Sequence, residues 1–172
     1  MTLSSAANYG ADSSGLICGF QFGSDGLGLP IDAQQALDWM AAVGVSEGFV
    51  WLHFNLARAM TEKWLRENVT MSDAFHDALR EGSRSTRIEL DGDMLVAVVN
   101  DVNYDFAFEP SDISTLWLLV TPRLVVSVRV QPLRSIDRLR DAVKRGVPLR
   151  STVDLLVHLM HDQGDVLVNV VR

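Results

Sequence analysis

The dipeptide Asp91-Gly92 lies between two apolar runs, 86–90 and 93–100, and constrains this chain more than any other feature. A two-residue hairpin turn needs positive φ at both central positions, so Asp-Gly between such runs predicts two antiparallel strands. A second hairpin is expected between 113–120 and 124–130, joined by Thr121-Pro122-Arg123. In its return strand Leu124, Val126, Val128 and Val130 share one face, and Val125, Ser127 and Arg129 share the other. This alternation predicts one face against a helix layer and the other partly wet.

Two strand candidates come earlier. Residues 16–22 form one, followed by a glycine-spaced turn, Gly23-Ser24-Asp25-Gly26, that leads through Leu27 and Leu29 to Pro30. Residues 49–54 are apolar on both alternating faces, as a buried strand requires. Helices are expected between these elements. Asp32 and Gln35 have the spacing of a capping box ahead of Ala36, Leu37, Met40 and Ala41, and Gly44 ends that helix. Two more span 60–68 and 73–81, the second with Ser72 as N-cap and Gly82 as its stop. A fourth runs from Pro132 to Gly146 with Leu133, Ile136, Leu139, Ala142 and Val143 on one face, and Ser151 caps a fifth. Hairpin strands interrupted by helices predict an α/β fold, a mixed sheet with helices packed on it.

Composition narrows the function. At 48% hydrophobic and 22% charged, the 172 residues are not those of a disordered chain. One domain is the default at this length, here 15–172 behind a flexible leader at 1–14 rich in Ser, Ala, Asn and Gly. The lone Cys18 excludes an intramolecular disulfide framework and a Cys-rich zinc site. No secretory signal opens the sequence, and the longest apolar run, 94–99, is far short of the ~20 residues of a membrane span. A soluble, cytosolic chain is expected.

Enzyme signatures are sparse. No serine has the G-x-S-x-G setting, Cys18 lies in an apolar strand, and Gly23 to Gly28 fits no phosphate-loop spacing. His53, on the strand face of Phe49 and Trp51, is expected to be buried with its ring nitrogens bonded to backbone. His76, among Asp73, Asp77 and Arg80, is expected on a solvated face. Residues 123–150 hold eight Arg and Lys against two Asp, a local balance of +6 in a chain of net charge −7. A strongly acidic remainder disfavours nucleic acid as the partner of that basic segment.

The final helix is broadly apolar with one polar stripe: Asp154, His158, His161, Asp162, Asp165, Asn169 and Arg172. Its pattern still runs at Arg172 with no stop signal, which favours a terminus cut through a longer helix. The pairs Asp154/His158, His158/Asp162 and His161/Asp165 are spaced i,i+4, so their side chains can converge. Imidazole and carboxylate suit zinc, whereas magnesium would use the carboxylates alone. His158, His161, Asp162 and Asp165 are therefore the candidate metal ligands, with a third ligand needed from elsewhere or from another subunit. The competing expectation is an ordinary solvated stripe.

Val50-Trp51-Leu52-His53-Phe54-Asn55, followed by Trp64-Leu65, resembles the N-terminal cytoplasmic domain of the CorA superfamily of divalent metal ion transporters, and the zinc-transporting ZntB branch above all. The likeness continues through Asp77-Ala78-Leu79-Arg80, Leu95-Val96-Ala97-Val98, Val102-Asn103, Ser111-Asp112-Ile113, the strand 124–129, Asp137-Arg138-Leu139 and Leu155-Leu156. It departs at Asn100-Asp101, where the branch tends to show Arg-Gly, and at Ser85-Thr86-Arg87, where it tends to show Arg-Pro-Arg. The resemblance implies a largely antiparallel sheet of six or seven strands with helices on both faces, ending in the start of a long stalk helix. It also implies a homopentamer in the inner membrane that moves zinc or magnesium. Its Gly-Met-Asn-type pore motif and two membrane helices would lie beyond Arg172, with this chain as the cytosolic part. A soluble regulatory or ligand-binding module without transport, and a small enzyme, are the alternative classes.

Overall fold

The structure, a computed structural model, describes residues 10–42, 44, 47–82, 86–102 and 113–171. Among the described residues, seven strands form one sheet: β1 (Leu16–Phe22), β2 (Gly28–Ile31), β3 (Phe49–Asn55), β4 (Arg87–Asp91), β5 (Met94–Val102), β6 (Ile113–Val120) and β7 (Leu124–Arg129). Their spatial order is β2-β1-β3-β7-β6-β5-β4. Both expected hairpins are present, β4 with β5 and β6 with β7. Neighbouring strands are antiparallel except β3 and β7, which run parallel with Trp51 opposite Val125 and His53 opposite Ser127. The sheet is thus mixed and largely antiparallel.

The described residues also form five helices that cover it: α1 (Ala33–Ala41), α2 (Ala59–Asn68), α3 (Asp73–Glu81), α4 (Arg134–Lys144) and α5 (Thr152–Val171). The expected caps form. Asp32 and Gln35 bond reciprocally at the start of α1, Ser72 Oγ accepts from Phe75 N, and Ser151 Oγ accepts from Asp154 N. Each cap satisfies amides that a first turn leaves open. α1, α2 and α3 place Ala36, Leu65, Phe75 and Ala78 against Leu52, Phe54, Val98 and Val126 on one sheet face. On the other, Ile136, Leu139 and Val143 of α4 and Leu155 and Leu159 of α5 meet Trp51, Val99, Leu118 and Val125. Helices therefore lie on both faces, as an antiparallel sheet with two apolar surfaces demands.

Three details differ from expectation. Residues 28–31 are a strand, not an approach to α1, and Pro30 pairs opposite Phe20. A proline without an amide fits there because β2 is an edge. The face of Val125, Ser127 and Arg129 is not wet: these residues are 0%, 0% and 4% exposed. The chain turns back after β7 and lays α4 over that face, which neither strand alternation nor local composition encodes. Finally, β7 ends at Arg129 and leaves Val130 outside the strand and exposed.

Gly48 permits one close approach. At φ +96, a Cβ there would fall 1.8 Å from the carbonyl oxygen of Phe22. That opening lets the chain enter β3 beside the end of β1. Of the leader, residues 1–9 lie outside the described residues. From Asp12 onward the chain is tied down, since the Asp12 carboxylate accepts from the amides of Ser14 and Leu16.

Candidate functional site

The polar residues of α5 divide into three environments. Asp154 turns back to the helix start, where its carboxylate accepts from Arg150 N at 3.0 Å, so it is not directed to His158. His158 and Asp162 do come together, with Nε2 and Oδ2 3.5 Å apart and both side chains partly buried. That same Asp162 oxygen is enclosed and takes no hydrogen bond. His161 and Asp165 are exposed one turn along. Among the described residues, no group of three His, Cys, Asp or Glu is arranged to hold a metal ion. The helix thus brings one His/carboxylate pair into contact, His158 with Asp162. Its outward face also carries exposed Val153 and Val157, so that face is not purely polar.

Buried polar groups lie on the sheet face covered by α4 and α5, within β3 and β7 and near the end of β5. Trp51 Nε1 donates to Ser127 Oγ at 2.8 Å, and His53 Nδ1 lies 2.7 Å from the same hydroxyl. The His53 ring meets the Ser127 side chain and also bonds to backbone at Ser127, as expected. Burial holds its pKa well below the ordinary imidazole value, and the nearby Arg129 and Arg140 cations act in the same direction. A neutral ring follows. Asp101, 1% exposed, accepts from the hydroxyl of Ser135 in the first turn of α4. Gln163 of α5 donates through Nε2 to the carbonyl of the adjacent Asn100. The end of β5 is thus bonded to both α4 and α5.

Sequence reasoning noted Asp101 only as a departure from the resemblance, and gave neither Ser135 nor Gln163 a role. The available signal was Ser127 and Arg129, two polar residues on one face of an otherwise apolar strand. Cys18 stands nearby on β1 with its thiol pushed up to about 11, chiefly by burial, which makes it a poor nucleophile at neutral pH. On the outer side of α4, Arg134, Asp137, Arg138 and Asp141 line an open groove of about 340 Å³. Asp137 lies 3.6 Å from Arg140, and its pKa is raised because burial outweighs that cation. His76 is partly buried between Glu62 of α2 and Asp77, 3.9 Å from each, rather than fully solvated.

This architecture is that of the cytoplasmic domains of metal-ion transport proteins. It aligns with the full-length CmaX protein at a TM-score of 0.80 and 25% identity, over 92% of this chain and 48% of that one. The cytoplasmic domain of ZntB from Vibrio parahaemolyticus aligns at 0.69 and 19% identity, over 90% of this chain and 61% of that one, which is a likeness of fold. The family model described as CorA-like Mg2+ transporter protein matches residues 46–172, and the chain belongs to that family. Among curated relatives, the divalent cation transporter CmaX of Pseudomonas aeruginosa is 26% identical over 164 residues, which are 92% of this chain and 48% of that protein. The zinc transport protein ZntB of Pectobacterium carotovorum is 23% identical over 133 residues, 77% of this chain and 38% of that protein. The chain therefore spans about half the length of CmaX and less of ZntB. Among the described residues no helix is long and apolar enough to cross a membrane.

Proposed function

We propose that this chain is the cytosolic part of a divalent cation transporter that moves zinc, or secondarily magnesium, across the inner membrane as a homopentamer. Within it the domain contributes to assembly and to regulation of the ion pathway. The observation that carries this reading is the family match over 46–172, combined with a fold that aligns with a full-length transporter over 92% of this chain. The relatives are named as transporters, and no enzymatic role is proposed here. Membrane attachment would come through segments outside this sequence.

His158, Asp162, His161 and Asp165 are the proposed contact for the cation, either as cargo or as a regulatory ion. The short His158–Asp162 approach and the unbonded Asp162 oxygen support the first pair. A third ligand would come from a second copy of the chain, because one helical turn supplies two. The gene sequence past Arg172 tests the transport reading. Two apolar segments of ~20 residues joined by a short loop are expected, and a stop codon at that point contradicts it.

A further inference from the structure

The two edges of the sheet are protected differently. β2, at one end of the strand order, is only four residues long, and Pro30 within it offers no amide. β4, at the other end, carries no proline, no lysine and no register shift against β5 between Arg87 and Asp91. Among the described residues no strand pairs with its outer side. All of β4 but Asp91 is exposed, Ile88 by 54% and Leu90 by 77%. An aliphatic strand edge left open in this way is a template for another strand.

The ladder decides which backbone groups face outward. Only Gly92 and Asp93 separate the paired Asp91 and Met94, and in a two-residue hairpin that closing pair exchanges both hydrogen bonds. Bonding alternates along the strands, so Arg87, Glu89 and Asp91 turn their amides and carbonyls toward β5, whereas Ile88 and Leu90 turn theirs outward. Asn100 has the matching parity on β5: its amide points to the β4 side and donates to Thr86 Oγ1 at 3.3 Å. The side chains alternate as well. Ile88 and Leu90 stand beside Ala97 and Leu95 on the face of α4 and α5, while Arg87 and Glu89 stand beside Val98 and Val96 on the other.

We propose that β4 pairs antiparallel with β4 of a second copy of this chain, with Ile88 opposite Ile88. Charge selects that register. A two-fold axis at Arg87 or at Glu89 would set the charged group against its own copy, and an axis at Leu90 would set Glu89 against Asp91. The axis at Ile88 sets Arg87 opposite Glu89 twice, as non-hydrogen-bonded pairs, whose side chains approach most closely. Arg87 already lies 3.7 Å from Glu89 of its own strand, so the four charges alternate in sign around a square. On the opposite face Ile88 meets Ile88, and Leu90 meets Thr86. Being two-fold, the pairing would join chains of different assemblies of the proposed pentamer. It depends on the sheet edge and not on the transport reading.

Sedimentation equilibrium of the 172-residue chain over a range of concentrations reads the association. A reversible dimer is expected. Arg87→Glu and Glu89→Arg should each weaken it roughly ten-fold, because like charges then face each other at two places. An equimolar mixture of the two variants, and the double variant Arg87→Glu/Glu89→Arg, should associate as the wild type does, since opposite charges face each other again. Far-UV circular dichroism reports whether each variant is folded. A monomer at every concentration, association unmoved by either single reversal, or a folded double variant that stays weak overturns the proposal. The last result is the one that an axis at Glu89 requires.

Discussion

His53 ties local chemistry to stability. Its native pKa is held well below 6.5, mainly by burial and then by Arg129 and Arg140, whereas the unfolded chain titrates near that value. As pH falls through 6.5 the unfolded state takes up a proton that the native state refuses. Stability contributed by His53 is therefore full above that pH and declines below it, at up to about 1.4 kcal/mol per pH unit. Asp137, with a raised pKa, works in the opposite sense, but near the carboxylate range at lower pH. Urea unfolding at pH 7.5 and 5.5 should show the wild type losing about 1 kcal/mol more than His53→Gln, which cannot titrate. Equal losses would mean that the native ring takes up a proton as readily as the unfolded one.

Among the elements, legibility followed local physics. The Asp91-Gly92 turn, the capping box at Asp32 and Gln35, and the Ser72 and Ser151 caps were readable because each is decided within four residues of chain. β2 was not, since Gly28 and Pro30 both score as breakers and only pairing with β1 makes 28–31 a strand. The buried state of Ser127 and Arg129 was hidden for the same reason, as it depends on α4 returning over the sheet. At α5, the i,i+4 spacing correctly indicated that His158 and Asp162 can meet. It could not indicate that Asp154 would instead bond the Arg150 amide. Calorimetric titration of zinc into the chain, and into His158→Ala/His161→Ala, tests the helix as a metal contact. The double variant should bind roughly ten-fold more weakly, as loss of imidazole ligands requires. Equal binding would leave the stripe as a solvated face.

For the whole molecule, the domain packs helices on both faces of one sheet. One carries the paired polar residues of α5 and the network that bonds the end of β5 to α4 and α5. The other is covered by α1, α2 and α3. The proposed function makes the chain part of a divalent cation transporter. Its central claim is ion movement, which is read directly by reconstituting the complete gene product in liposomes loaded with a zinc-sensitive dye. The account predicts saturable zinc entry above that of empty liposomes, with magnesium, followed by its own indicator, as the second cation carried. Liposomes that contain the folded, membrane-inserted protein and admit neither cation would contradict it.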